Sequence, residues 1–261
     1  MATFDRNNST RYGMAGTQAN AAAFDAGLRA YMLRVYNYMA IGVAITGVLA
    51  LLTSMMATTT DPSMAAAQLG NGTMLTSLGV ALYGSPLKWV VMLAPLGFVF
   101  FLSARINKMS TSGAQMTFWA FAALMGVSLS SIFIVYTGNS IARVFFISAA
   151  SFGALSIFGY TTKKDLSAWG SFLFMGLIGI IIASLVNLFI GSSALQFAIS
   201  VIGVLVFAGL TAYDTQQIKE MYAAVDDSEV AGKKAIMGAL RLYLDFINLF
   251  MMLLSLFGNR D

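Results

Sequence analysis

The chain has 261 residues, of which 58% are hydrophobic and only 10% are charged, and its net charge is +4. Soluble domains carry about 25% charged residues, so this composition predicts an integral membrane protein rather than a soluble globule. Cysteine and histidine are absent, which excludes disulfides, thiolate sites, Ser-His-Asp triads and His-ligated zinc or haem.

The basic residues are scattered along the chain rather than clustered in one patch. That distribution favours a role in membrane orientation over a role in nucleic-acid binding. We therefore expect a lipid bilayer around the protein and no nucleic acid among its partners.

The first segment, residues 1–28, is rich in Asn, Ala, Thr and Gly. No apolar stretch directly follows Arg6 and Arg11, so the segment does not have the pattern of a secretory signal peptide. We predict that residues 1–28 form a disordered cytoplasmic tail and that residues 29–261 form a transmembrane domain.

Seven apolar stretches follow, each near the roughly 20 residues that cross a bilayer as an α-helix. A loop at 58–86, which contains neither Lys nor Arg, separates the first two. The most charged loop, 219–234, precedes the last. The predicted fold is an all-α bundle of seven transmembrane helices near 36–60, 87–104, 114–136, 140–159, 170–190, 194–218 and 235–257.

The distribution of Lys and Arg over the loops predicts the orientation of this bundle. If the N-terminus is inside, only Lys88, Arg143 and Arg260 of the 15 basic residues fall on the outer side. Because cytoplasmic loops are enriched in Lys and Arg, the pattern predicts a cytoplasmic N-terminus and an outer C-terminus. We expect a multi-pass membrane protein.

Two acidic residues lie inside the last two apolar stretches. An ionised carboxylate in hydrocarbon is costly unless it faces water, a cation or a proton-sharing partner. By the helical rise, Asp214 lies about 7–8 Å before Lys219 and Asp245 lies roughly 6–16 Å beyond Lys234 and Arg241. Adjacent antiparallel helices would therefore place both carboxyl groups in the inner third of the membrane.

Two carboxyl groups this close share one proton, because both cannot ionise cheaply. The protonated pair ties two helices by a hydrogen bond. The deprotonated pair repels and becomes a hard oxygen site suited to Ca²⁺, which makes Asp214 and Asp245 the candidate metal ligands as well. Arg105, at the inner end of the second helix, has a depth that suits pairing with them. Arg241, one turn from Asp245, is an auxiliary candidate.

Other interpretations of the two acids remain open. Asp214 could be an interfacial residue that faces the cytoplasm, and Asp245 could form a purely structural hydrogen bond between helices. The pair also has a superficial likeness to an intramembrane aspartyl protease. The Gly-x-Gly-Asp and Pro-Ala-Leu patterns of such proteases are missing, so we predict no enzyme and no catalytic residue.

Four segments carry a resemblance to a known family: APLGFVFFLSARINKMS at 94–110, FGYTTKKDLS at 158–167, LTAYDTQQI at 210–218 and LYLDFINLFMMLLSLFG at 242–258. They resemble the Bax inhibitor family of seven-helix membrane proteins, also called the transmembrane Bax inhibitor motif family, in its bacterial YccA-like branch. The resemblance covers most of the chain from about residue 30.

The resemblance implies a bundle in which the last helix is central and the other six surround it. It also implies a pH-sensitive Ca²⁺ leak channel in the cell inner membrane, with Ca²⁺ as the permeant ion and no cofactor. The pH sensor and ion gate would be Asp214 and Asp245, and Arg105 would latch the closed state. Some bacterial relatives bind a membrane-anchored protease, so regulation of such a protease without transport is the alternative function.

Overall fold

The computed structural model describes residues 6–70 and 72–259, and the side chains of all of these except 6–21 and 107. Within them, seven helices are long and apolar enough to cross a membrane. This confirms the predicted all-α, seven-span class. The spans are Ala22–Ala57, Leu87–Arg105, Thr111–Val135, Gly138–Thr161, Ser167–Ile190, Ser193–Glu220 and Ser228–Phe257.

The helices differ from the predicted spans mainly at their ends. In chain order they are α1 (Arg6–Ala57), α2 (Ser77–Gly79), α3 (Leu87–Arg105), α4 (Thr111–Leu129), α5 (Ile132–Val135), α6 (Gly138–Thr161), α7 (Ser167–Ile190), α8 (Ser193–Glu220) and α9 (Ser228–Phe257). The sixth and seventh spans of the sequence are thus α8 and α9.

The long loop after α1 contains a small antiparallel sheet. Its strands are β1 (Thr58–Thr59), β2 (Ala67–Gln68) and β3 (Met74–Leu75), in the order β1-β3-β2. Leu75 is the Cα partner of both Thr58 and Ala67, so the strand that contains it lies in the middle. The chain then enters α2 and a π-helical turn at Val80–Gly84 before α3 begins.

The last helix, α9, lies at the centre of the bundle, as predicted. It packs against α1, α4, α6 and α8, whereas α3 packs chiefly on α4 and α7 packs on α8. Tyr243 of α9 is completely buried and stacks edge-on with Phe118 and Phe121 of α4, at ring-centroid distances of 5.8 and 5.4 Å. Aromatic pairs prefer this geometry, so α4 and α9 are joined by specific contacts in addition to apolar burial.

The chain is helical from Arg6, where the sequence predicts a disordered tail through residue 28. The end of that segment is docked on the bundle. The rings of Phe24 and Tyr31 lie 5.2 and 5.6 Å from the ring of Tyr222, which follows α8. Contact with Tyr222 therefore holds α1 on the bundle on both sides of the predicted boundary at residue 29. The part of the predicted tail at residues 1–5 lies outside the described residues.

The charged loop predicted at 219–234 is much shorter in the structure. Helix α8 continues through Glu220 and α9 begins at Ser228. Asp227 caps α9, because its Oδ1 accepts a hydrogen bond of 2.7 Å from the amide of Val230. Lys234 then ties the turn together, since its Nζ lies 2.6 Å from Asp226 Oδ2 and 3.0 Å from the Met221 carbonyl oxygen.

Candidate functional site

A cavity of about 600 Å³ lies between α7, α8 and α9 and contains both acids predicted from the sequence. Four of its lining residues have ionisable side chains: Tyr213, Asp214, Arg241 and Asp245. The remaining walls are mostly apolar, from Phe174 and Leu177 of α7 to Phe207 and Leu210 of α8 and Leu244 of α9. The site therefore concentrates charge in an otherwise hydrocarbon-like interior.

The two carboxyl groups are close together. Asp214 and Asp245 are within hydrogen-bonding range of each other, and Asp245 is only 5% exposed. Asp245 Oδ2 is buried and receives no hydrogen bond from any donor among the described residues. A buried carboxylate oxygen without a donor is unfavourable, so the geometry suits a pair that holds a proton between its two members.

Each acid is placed by the helix that carries it. Asp214 is half-buried near the C-terminal end of α8, and Asp245 lies well inside α9, between Leu244 and Phe246. The structure places Asp214 and Asp245 at the same cavity. Their shared cavity agrees with the depth estimated from the helical rise.

Arg241 is the cation nearest to this pair among the cavity residues. It lies one helical turn before Asp245 on α9, lines the same cavity, and acts electrostatically on both acids. Its side chain is exposed and forms no direct ion pair with either acid. Arg241 thus supplies positive charge at the open end of the site while the acids remain free to contact each other.

Arg105, the predicted latch, lies at the C-terminal end of α3. It is exposed in the last turn of α3, and it is not among the residues that line the cavity. The sequence contains no information on which side of the bundle α3 packs. The latch role of Arg105 therefore remains a prediction.

A chain of three hydroxyl groups supports the segment of α8 that carries Asp214. Thr215 donates to the Thr211 carbonyl, Ser156 of α6 lies 2.9 Å from Thr215 Oγ1, and Tyr36 of α1 donates to Ser156 over 3.1 Å. Because the Thr215 hydrogen is already used, Ser156 must donate to Thr215. The chain ties α1 and α6 to α8 next to the site.

Sequence reasoning missed Tyr213 and Asn248 as cavity residues. The Nδ2 atom of Asn248 donates to the Leu244 carbonyl of its own helix over 2.8 Å. The sequence did contain a signal for Asn248 as a cavity residue. It lies three residues after Asp245, and residues three apart on a helix share one face. Asn187, by contrast, does join two helices through a 3.3 Å bond to Gln196.

Comparison with known proteins agrees with this architecture. The family model described as "Inhibitor of apoptosis-promoting Bax1" matches residues 28–261. The chain is 47% identical over 244 residues to the uncharacterized protein RP147 of Rickettsia prowazekii, covering 94% of this chain and 95% of that protein. It is 48% identical over 237 residues to the inner membrane protein YbhL of Escherichia coli K12, covering 90% and 94% of the two chains.

An uncharacterized protein of Caulobacter vibrioides is 46% identical over 247 residues, which cover 91% of this chain and 92% of that protein. The family match extends over nearly all the described helices, including both acids of the cavity. With its seven spans and its likeness to an inner membrane protein of Escherichia coli, the chain is a multi-pass inner-membrane protein. It belongs to the Bax inhibitor family.

Proposed function

We propose that the protein is a pH-sensitive leak channel for Ca²⁺ in the inner membrane, controlled by Asp214 and Asp245. One observation carries the proposal: two carboxyl groups lie within hydrogen-bonding range in a cavity between three membrane-spanning helices. Ionisable groups at this depth are costly and mark functional sites by default.

Proton occupancy changes what the pair does to α8 and α9. With one shared proton, the acids form a short hydrogen bond that holds the two helices together. Without it, two negative charges repel each other across a poorly solvated gap. Loss of the proton therefore favours separation of the helices, and we expect flux to increase as the pH rises through the titration of the pair.

The same loss of the proton creates a cation site. Two carboxylates offer the hard oxygen ligands that Ca²⁺ prefers, and the side-chain amide of Asn248 lines the same cavity. The guanidinium of Arg241 lines the same cavity and is positively charged, as Ca²⁺ is. It therefore competes with the metal ion for the two acids. A cation bound here would be held weakly enough to leave, as conduction requires.

The experiment is Ca²⁺ flux into liposomes that contain the purified protein, measured across a range of pH. Asp214→Asn and Asp245→Asn keep the size of each side chain and remove the titration, so we expect each variant to lose the pH response. Asp165→Asn is the matched control, since Asp165 is an exposed acid in the loop before α7.

Unchanged flux and an unchanged pH response in both cavity variants would contradict the proposal. A folded wild-type protein that passes no Ca²⁺ at any pH would contradict it too. That second outcome would favour the alternative function, regulation of a membrane-anchored protease.

A further inference from the structure

A second polar site lies at the other end of the α7–α8–α9 interface. A cavity of about 340 Å³ opens beside the turn between α7 and α8, and its lining includes Asn187, Gln196 and Ser255. Gln196 Nε2 lies 3.4 Å from Ser255 Oγ, and Ser200 Oγ lies 2.9 Å from the same atom. This outer cavity is therefore lined by neutral amide and hydroxyl groups from all three helices.

The outer cavity and the cavity of the acids lie on the same face of α9. Arg241, Asp245, Asn248, Met252 and Ser255 follow one another at alternating spacings of four and three residues, which places them in one stripe along the helix. The first three line the cavity of the acids and the last lines the outer cavity. Only Met252 in this stripe belongs to neither.

Met252 fills the space between the two cavities by packing on Gly203 of α8. A Cβ atom at position 203 would lie 2.8 Å from both Cγ and Sδ of Met252, so the thioether occupies the room that the glycine leaves. One turn further inward, Phe207 of α8 and Asn248 of α9 line the cavity of the acids. One turn outward, Ser200 contacts Ser255. Met252 and Gly203 thus form an apolar barrier between the two cavities. The cavities are separated by about 10 Å, the helical rise from Asn248 to Ser255.

We propose that the two cavities are the halves of one cation path along the α7–α8–α9 interface, closed by Met252 seated on Gly203. The inference rests on the proposed function and adds the route and its barrier. A cation enters at the amide and hydroxyl oxygens of the outer cavity, where neutral oxygens replace part of its hydration shell. It then meets a dry apolar constriction, which blocks conduction until water fills it.

The nature of the barrier residue suits a gate. Met has an unbranched side chain with three rotatable bonds, so it leaves its seat by changing rotamer without any movement of the backbone. Gly203 provides the seat for Met252, since the side chain of any larger residue at position 203 would collide with the thioether. Asp245 lies about two helical turns before Met252 on α9. Separation of α8 and α9 at Asp214 and Asp245 therefore widens the interface that Met252 closes, and this couples the acids to the barrier.

The absence of cysteine from the sequence allows a clean accessibility experiment. Single variants Ser255→Cys and Asn248→Cys are placed in liposomes, and a membrane-impermeant methanethiosulfonate is added on the side of the α7–α8 turn. We expect Ser255→Cys to react and Asn248→Cys to be protected. Adding Met252→Ala to Asn248→Cys should increase its reaction rate from that side about tenfold or more, because the apolar barrier is gone.

Met175→Ala is the matched control, because Met175 lies on α7 with 63% of its surface exposed and away from the interface. It should leave the protection of Asn248→Cys unchanged. Ser255→Cys that still reacts in the Met252→Ala variant shows that the fold is intact. If Asn248→Cys remains protected in that same variant, the proposed path is wrong.

Ca²⁺ flux separates this inference from the proposed function. We expect Met252→Ala to increase flux about tenfold at fixed pH, while Met175→Ala has no effect. Met252→Ala could increase the labelling of Asn248→Cys while neither the wild type nor the variant passes Ca²⁺. That result would contradict the leak function but support the path along the α7–α8–α9 interface. A pH response that depends on Asp214 and Asp245, with no effect of Met252→Ala on flux or labelling, would contradict the path alone.

Discussion

The hydroxyl oxygen of Tyr243 lies 2.6 Å from Thr46 Oγ1 and joins the central helix α9 to α1. Thr46 also donates its hydrogen to the Ala122 carbonyl of α4 over 2.8 Å. A threonine hydroxyl has only one hydrogen, so Tyr243 must be the donor in the shorter bond. One threonine side chain therefore connects α1, α4 and α9, and the direction of each bond is determined.

This direction predicts unequal effects of two substitutions. Tyr243→Phe removes a donor and leaves Thr46 bonded to Ala122, so we expect it to lower the free energy of unfolding by about 1 kcal/mol. Thr46→Val leaves the buried Tyr243 hydroxyl without an acceptor, which costs about 1–3 kcal/mol. Unfolding in mixed detergent micelles measures both. An equal or smaller effect of Thr46→Val would contradict the assigned direction.

A close approach of α6 and α8 predicts a strong effect at Gly159. A Cβ atom there would overlap the backbone carbonyl of Ala212, which cannot move as a flexible side chain can. We expect Gly159→Ala to reduce stability by about 1–3 kcal/mol through overpacking. Thermal unfolding of the purified protein in detergent is the measurement.

Gly153 provides the control on the same helix, since a Cβ atom there meets nothing within 4 Å. Gly153→Ala should be neutral or stabilise the helix by up to about 1 kcal/mol, because Ala has the higher helix propensity. If Gly159→Ala is as well tolerated as Gly153→Ala, the two helices are further apart than described.

Neighbouring lysines at the start of α9 should differ in their contribution to stability. Lys234 contacts both Asp226 and the Met221 carbonyl and closes the α8–α9 turn. Lys233 forms only a one-turn ion pair with Glu229, whose side chain is 57% exposed. We expect Lys234→Met to cost about 1 kcal/mol and Lys233→Met less than about 0.5 kcal/mol. Equal melting temperatures for the two variants would contradict this.

Asp61, in the loop after α1, should titrate below the usual range of an aspartate. The side chain and the backbone amide of Ser63 both donate to Asp61 Oδ1, over 2.7 and 2.8 Å, and these bonds lower the pKa of the carboxyl group. A depressed pKa means that the Asp61 contribution to loop stability is present above the ordinary pKa and is lost as the pH falls through the lowered one.

The side chain of Ser63 is the larger cause of this shift, so Ser63→Ala should move the Asp61 pKa upward, part of the way to its ordinary value. The backbone bond remains and prevents a complete return. Carbon-13 NMR titration of the Asp61 carboxyl group checks both statements. An unchanged titration in Ser63→Ala would show that the hydroxyl does not reach the acid.

The membrane class, the seven spans and the two acids were predictable from sequence because each depends on local hydrophobicity. Asp214 and Asp245 stand out in apolar runs, and the helical rise alone gives their similar depth. Arg241 was predictable for the same reason, as a neighbour one turn from Asp245. Such signals need no knowledge of how the helices pack.

Packing between helices was not predictable in this way. The predicted depth of Arg105 contains no information on the angular position of α3, and its assignment to the latch depended on that depth and on resemblance. The seating of Met252 on Gly203 depends on the register of α8 against α9. The docking of Phe24 and Tyr31 depends on Tyr222, which follows α8 in the chain. Each of these features needs a contact between distant segments.

The central position of α9 has a consequence for synthesis of the protein. The ribosome delivers this helix after the other six spans, so α1, α4, α6 and α8 enter the bilayer before the surface they pack on exists. Until Tyr243 and its neighbours arrive, the polar groups of Thr46 and Asp214 have no partner on α9. The contacts that hold the centre of the bundle can therefore form only after the last span has been synthesised.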